Sequence, residues 1–332
     1  MLEPFSIFGG VIMFNFRSIR SKFIFAFTIY LFVVFFGILA IIYIFIGGML
    51  TQGVIGEVVA YTGQGANRMD GWFAGKRATV DSMYHTFVAL PNEDAIHQAL
   101  QNLTDGTTLH YVGFADERAI FGADITLPDD WTPLIRPWYI DAMANRGEIT
   151  FSSPFIDAYS GEIIISISRY FGQILGSDMV YSIDIQLSDI VSILHDTLYI
   201  SGSYAFLAEQ NGRILAHTGD VQSGTNMHDI TAYQQFLNAG VGQDEPLRIR
   251  DDARRSWYLT YHELENGWML FMAVPRSFVQ FDTIILMIVA VLALIPIMVL
   301  QILMFWFAFG YIVSKPLNKL KNDAKQISLG NL

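Results

Sequence analysis

Cysteine is absent from the 332 residues. No disulfide can brace the chain and no thiolate can react, so whatever folds must hold through its own core. Charge is scarce: Asp, Glu, Lys and Arg make up 15% of the residues, against about 25% in ordinary soluble domains. The seven histidines show no HxxxH or HExxH spacing, which leaves no zinc signature. No P-loop, GxGxxG or GxSxG context occurs, so the phosphate cradle, the dinucleotide turn and the nucleophile elbow are missing. These absences argue against an enzyme, an anchored extracellular hydrolase included, and predict no cofactor and no metal.

The scarcity of charge is concentrated. Phe23 to Leu50 is 28 residues without a charge, and Thr283 to Val313 is 31. About 20 apolar residues suffice for a helix to cross the hydrocarbon layer, so transmembrane helices are predicted at 23–50 and 281–313. Nothing between Thr51 and Asp282 is apolar for long enough to add another span, which excludes a multi-pass channel or transporter. The first run is too long for the apolar part of a signal peptide, and Gly47-Gly48-Met49-Leu50 is no small-residue cleavage site. It reads as a retained anchor. Pro296 is expected to bend the second span.

Arg17, Arg20 and Lys22 precede the first run, and Lys315, Lys319, Lys321 and Lys325 follow the second. The positive-inside rule then places both termini, the 1–22 tail and 314–332, in the cytoplasm. The segment 51–280 lies outside. Between residues 51 and 281 stand 13 basic against 28 acidic side chains, which argues against nucleic acid and against anionic lipid as partners.

Within that segment the fold class reads as α+β. Residues 51–90 carry apolar side chains at helical intervals, despite Gly63, Gly65, Gly71 and Gly75, and predict a long helix continuous with the first span. Pro91-Asn92 stops it, and 93–103 reads as a short amphipathic helix. Leu109 to Phe114 and Ala119 to Phe121 form a hairpin around Ala115-Asp-Glu117. A loop over Thr126–Arg136 leads to a helix from Pro137 to Asn145 closed by Gly147. Glu148–Ser152, Glu162–Phe171 and Met179–Ile185 read as strands, with a tight turn at Asp157–Gly161. Ser188 is a candidate cap for a helix to Leu198.

A second hairpin at 203–216, a helix at 231–238 and strands at 248–249, 256–262 and 268–274 repeat the order. Finding one order of elements twice predicts two related modules, membrane-distal 91–198 and membrane-proximal 199–280. A single larger mixed domain is the alternative. Arg248, Arg250, Arg254 and Arg255 against Asp251 and Asp252 read as a solvated turn, so the second module is assigned to transmission rather than binding.

This layout, with Arg136-Pro-Trp138-Tyr139, Pro154-Phe155-Ile156-Asp157 and Tyr181-Ser-Ile-Asp184, resembles the double-Cache (dCache) sensors of bacterial transmembrane receptors of the methyl-accepting chemotaxis type. The resemblance covers roughly 51–280 and implies two tandem PAS-like Cache modules on a long N-terminal helix, flanked by two transmembrane helices. In the amino-acid-binding subfamily an aromatic residue stands five before Arg-x-Trp-Tyr, then come Tyr-x-Asp and an Asp about 27 further on. Asp184 stands 27 residues after Asp157. The resemblance implies that Arg136, Trp138 and Tyr139 hold a ligand carboxylate and that Asp157 and Asp184 hold an ammonium. Two positions depart from the pattern: Phe155 replaces a tyrosine, and Trp131 stands where a tyrosine is usual. An amine or a small carboxylate therefore remains open beside an α-amino acid.

The stretch Ser314-Lys-Pro-Leu-Asn through Gly330-Asn-Leu332 is similar to the first helix of a HAMP linker, here expected to continue beyond Leu332. The resemblance implies a homodimeric two-pass receptor of the cell inner membrane. Its sensor would face the periplasm or extracellular space, and its cytoplasmic signalling output lies outside this chain. A chemotaxis output is the first expectation; a histidine kinase or diguanylate cyclase output is the alternative, and a scaffold or adhesion role without ligand is a further one.

The residue chemistry points the same way. A zwitterion needs a cation at one end and anions at the other, in a cleft that excludes water. A guanidinium forks onto a carboxylate through two charge-assisted bonds. Two neighbouring carboxylates repel until an ammonium arrives between them. The readings that need no ligand are a helix-start arginine at 136, core aromatics at 138 and 139, and turn chemistry at Asp157 with Ser160 and Gly161. Asp184, an acid in the apolar run Met179–Ile185, demands a partner.

Overall fold

The computed structural model describes residues 19–104 and 108–328. Arg17 of the basic tail and the Gly330-Asn-Leu332 triplet lie outside the described residues. The chain divides into two compact units, one of residues 53–279 and one of the stretches that flank it.

Helix α1 (Ile19–Ile41), a π-helical turn at Ile42–Ile46 and α2 (Gly47–Val88) follow in succession. Within the 53–279 unit, α2 buries Ala66, Met69, Phe73, Val80 and Phe87. Their spacing of three, four, seven and seven residues keeps them on one stripe of the helix. That stripe is the spine of a core shared with strands from both sheets described below. A Cβ on Gly65 would stand 3.0 Å from the Thr197 side chain and 3.2 Å from that of Leu270. The glycine that weakens the helix intrinsically is what lets it approach so closely. Asn92 accepts the Ala95 N–H at 3.0 Å and starts α3 (Glu93–Leu103), whose first turn carries Glu93 and Asp94 toward the positive end of the helix dipole.

The first sheet contains β1 (Thr108–Phe114), β2 (Ala119–Phe121), β3 (Ile149–Phe151), β4 (Phe155–Ile156), β5 (Ile163–Ile174) and β6 (Ser177–Gln186). It is antiparallel in the order β2-β1-β6-β5-β3, with β4 also on β5. Between β2 and β3 lies α4 (Pro137–Ala144), and α5 (Leu187–Asp196) follows β6. The second sheet holds β7 (Tyr204–Ala208), β8 (Ile214–His217), β9 (Leu247–Arg250), β10 (Ser256–Glu263) and β11 (Met269–Pro275), with α6 (Thr231–Ala239) between β8 and β9. Its order is β8-β7-β11-β10-β9. In each sheet the first strand of the opening hairpin pairs with the last strand of the meander, so the repeated order seen in the sequence is a repeated topology.

Three local expectations need correction. Ser188 does not cap α5: Gln186 is the N-cap residue and makes no side-chain cap bond. Strand β6 runs straight into the helix there, so the helix starts before Ser188, whose hydroxyl instead donates to Gln186 Oε1 at 3.3 Å. The loop 126–136 contains a 3-10 turn at Pro133–Ile135, entered through Thr132. Strand β4, two residues long, is too short to leave any alternation in the sequence.

In the flanking unit, α7 (Arg276–Phe309) runs through Pro296 as one helix, and a π turn at Gly310–Ser314 leads to α8 (Lys315–Ser328). Phe27 stacks on Phe305 at 3.9 Å, and Phe23 lies 5.5 Å from Phe309. Among the described residues, two helices are long and apolar enough to cross a membrane. Outward-facing Phe45 and Phe307 are 74% and 67% exposed, a surface that water disfavours and lipid accepts.

Candidate ligand-binding site

Asp184 sits on β6, in the interior of the first sheet, opposite Leu109 of β1 and Ser166 of β5. It is 9% exposed. Tyr111 Oη donates to its Oδ1 at 2.6 Å and Ser166 Oγ donates to the same oxygen at 2.5 Å. Among the described residues no Lys, Arg or His forms an ion pair with it. Burial pushes its carboxyl up to about 7; the Ser166 and Tyr111 bonds oppose that rise, and the nearby Asp157 charge adds to it. A buried acid with no counter-ion and one oxygen outside these two bonds is poised for a cation.

Asp157 lies in the turn between β4 and β5. Its Oδ2 accepts the Ser160 N–H at 2.8 Å and the Ser160 hydroxyl at 2.7 Å, so the turn chemistry read from Asp157, Ser160 and Gly161 is present. Those bonds both fall on Oδ2.

Arg136 stands between the 3-10 turn and α4, where its carbonyl accepts the N–H groups of Tyr139 and Ile140 at 3.1 Å. Pro137 at the first helical position fixes the direction in which the chain enters α4. The guanidinium lies 5.6 Å from the centre of the Trp131 ring, and its buried Nε has no hydrogen-bond partner. It pairs with no carboxylate among the described residues.

Aromatic rings brace these groups. Trp138, 2% exposed, meets Tyr111 edge-on at 4.9 Å. Phe121 stacks on the other side of Tyr111 at 5.4 Å and meets Trp131 at 5.5 Å. Gly113 permits this packing: a Cβ there would stand 2.6 Å from the Trp138 ring and 2.8 Å from Pro133.

Trp131, Arg136, Trp138, Phe155, Asp157 and Asp184 all line one hollow of about 20 Å³. A second, of about 190 Å³, adjoins it and shares Leu109, Ile125, Asp157 and Asp184. Tyr139 lines neither. It follows Trp138 by one position, about 100° around the helix, and its buried hydroxyl, without a hydrogen-bond partner, is pushed up from the ordinary tyrosine range by burial first and by the Asp178 charge second. The motif's Arg136 and Trp138 line the smaller hollow, and Tyr139 stands outside the lining of both. Tyr111 and Ser166 were not among the sequence candidates. For Ser166 the signal is parity: Ser166 and Ser168 alternate with Ile165 and Ile167, as Ser182 and Asp184 do with Tyr181 and Ile183, and polar residues at that period share one face.

In the second sheet the matching positions carry other residues. Tyr111 pairs with Phe121 and Ser182, as Phe206 pairs with His217 and Phe271. Two residues on, the position of Asp184 opposite Leu109 becomes Ala273 opposite Tyr204. Phe206 and Phe271, at the positions of Tyr111 and Ser182, stack at 4.6 Å. His217 stacks on Phe206 at 5.4 Å and shares a 2.9 Å hydrogen bond with Tyr233; burial pulls its pKa down to about 4.

No family profile matches the chain. Methyl-accepting chemotaxis protein McpC of Bacillus subtilis is 25% identical over 266 residues, 75% of this chain and 37% of that protein. PctB of Pseudomonas aeruginosa is 25% identical over 170 residues, 50% of this chain and 26% of that one. Its relatives are methyl-accepting chemotaxis proteins. The chain spans little more than a third of the length of McpC. Among solved structures, the ligand-binding domain of PctB in complex with L-Arg superposes with a TM-score of 0.58 at 20% identity, covering 66% of this chain and 86% of that one. The ligand-binding domain of the Pseudomonas fluorescens chemoreceptor CtaA with L-isoleucine gives 0.59 at 20% identity, covering 71% and 98%. The fold is that of the Cache-type ligand-binding domains of chemoreceptors.

Proposed function

We propose that the chain is the sensing part of a transmembrane chemoreceptor and binds an α-amino acid in the membrane-distal module, 91–198. Arg136 takes the carboxylate, with Trp131 and Trp138 shielding it from water. Asp157 and Asp184 take the ammonium through the oxygens their own hydrogen bonds leave over. The observation that carries this reading is the meeting, in one cavity, of an arginine without a carboxylate and a buried aspartate without a cation. The two charged ends of a zwitterion supply what each lacks. Neutral or singly charged ligands leave one group unpaired, at a cost of about 1–3 kcal/mol or more. The chemistry is binding and release, with no bond made or broken.

Support for the rest is architectural. The long apolar helices fit two membrane spans, with the 53–279 unit outside the inner membrane and both termini inside. The amphipathic α8, with Leu317 and Leu320 exposed, fits the start of a HAMP linker in a homodimer. Ligand closure would shift the membrane-proximal module along α2 and displace the second span by an ångström or two. A ligand that favours one of two states by a few kcal/mol suffices. The relatives favour a chemotaxis output over a histidine kinase or diguanylate cyclase.

Calorimetric titration of the purified chain in detergent micelles with a panel of amino acids, amines and carboxylates tests the reading. Arg136→Ala and Asp157→Asn are each expected to weaken the best amino acid at least about tenfold, the loss of one charged hydrogen-bonding partner. Unchanged affinity in both variants would remove the site.

A further inference from the structure

The two hollows differ in charge. Arg136 lines the smaller one alone, whereas Asp157 and Asp184 line both. With the ligand's carboxylate on Arg136 and its ammonium on the aspartates, the space beyond them is the larger hollow, of about 190 Å³. A dry cavity of about 150 Å³ holds benzene, so a side chain of glutamine or leucine size fits. Its walls mix aliphatic Leu109, Ile125 and Ile164 with neutral polar Thr108, Ser160 and Gln186; among the described residues no Lys, Arg or His lines it, and Lys76, which donates to Thr108 Oγ1 at 2.8 Å, is outside that lining. We propose, resting on the amino-acid reading above, that this hollow receives the ligand's side chain and makes the receptor selective for uncharged side chains against acidic ones. A glutamate or aspartate side chain would enter a space lined by two carboxylates, with Lys76 already engaged by Thr108. Specificity here comes from repulsion built against the wrong ligand as much as from contacts to the right one.

The test is titration calorimetry of the full chain in detergent micelles with L-glutamine, L-glutamate and L-alanine, the first two near-identical in shape. Glutamine is expected to bind at least about 30-fold more tightly than glutamate, since a like charge placed beside two others costs that or more. Gln186→Lys puts a cation into the hollow and is expected to raise the glutamate-to-glutamine affinity ratio at least about tenfold. Ala123→Lys, on the same wall, is the second variant, read the same way if the first does not fold. Glutamate binding within about threefold of glutamine in the unmodified chain, or a ratio unmoved by a folded lysine variant, would overturn the selectivity while leaving the amino-acid reading intact. Absence of binding by all three would overturn that reading, and the inference with it.

Discussion

At the scale of single residues, Asp184 shows how a strand position becomes a chemical group. Its neighbours on β1 and β5 are dictated by register, and they supply two hydroxyl donors but no positive charge. With its carboxyl raised to about 7 by burial first and by Asp157 last, the folded chain holds this proton more tightly than the unfolded one. The group therefore favours folding most below its unfolded value near 3.8 and loses that contribution, at most about 4 kcal/mol, as pH rises through about 7. Ammonium binding requires the ionised form and so runs the opposite way. Amino-acid affinity is expected to rise from about pH 6 to about pH 8, with proton release on binding at the lower pH. Calorimetry in buffers of different ionisation enthalpy reads that release, and Asp184→Asn should abolish it along with most of the affinity. At Gly113 the constraint is steric. Gly113→Ala would drive a Cβ against the Trp138 ring, 2.6 Å away, and should cost about 1–3 kcal/mol in a chemical denaturation curve, with weaker ligand binding as Tyr111 loses its brace.

At the scale of elements, the glycines of α2 separate by what surrounds them. Gly65 is pressed against Thr197 and Leu270, while a Cβ added at Gly71 or Gly75 would meet nothing within 4 Å. Gly65→Val should lower the melting temperature, by overpacking worth about 1–3 kcal/mol, and Gly71→Ala should raise it, by helix propensity worth about 0.5–1 kcal/mol. Equal effects would mean that the helix does not pack as described. The segment between β3 and β5 joins the site to the second module. Ser166 N–H donates to Ser152 Oγ at 2.9 Å, and Ser153 Oγ donates to Glu209 Oε1 at 2.8 Å in the β7–β8 turn. Ligand at Asp157 and Asp184 is expected to slow amide exchange in residues 209–213, and Ser153→Ala should remove that slowing while the site itself still binds. The sequence revealed the long helix, both hairpins and both meanders, because each has a clean period and a Gly, Pro or Asn stop. It hid β4 and the true start of α5, where a two-residue strand and a strand-to-helix join leave no periodic signal. Of the site, the charged and aromatic residues of the motif were legible. Tyr111 and Ser166 were not, since their place beside Asp184 depends on which strands pair, and that is a property of the sheet.

Over the whole molecule, the two sheets share a strand order and differ in what their matching positions carry. The same strand order places Asp184 in the first sheet and Ala273 in the second, and the stacked Phe206 and Phe271 stand where the first sheet has Tyr111 and Ser182. The proposed binding needs two opposite charges at a fixed separation. It is tested most directly by titrating the chain, in one calorimeter and one buffer, with L-alanine, with ethylamine and with propionate. L-alanine is expected to bind while both truncated molecules bind at least about a hundredfold more weakly; propionate or ethylamine binding as tightly as L-alanine would contradict the paired-charge site.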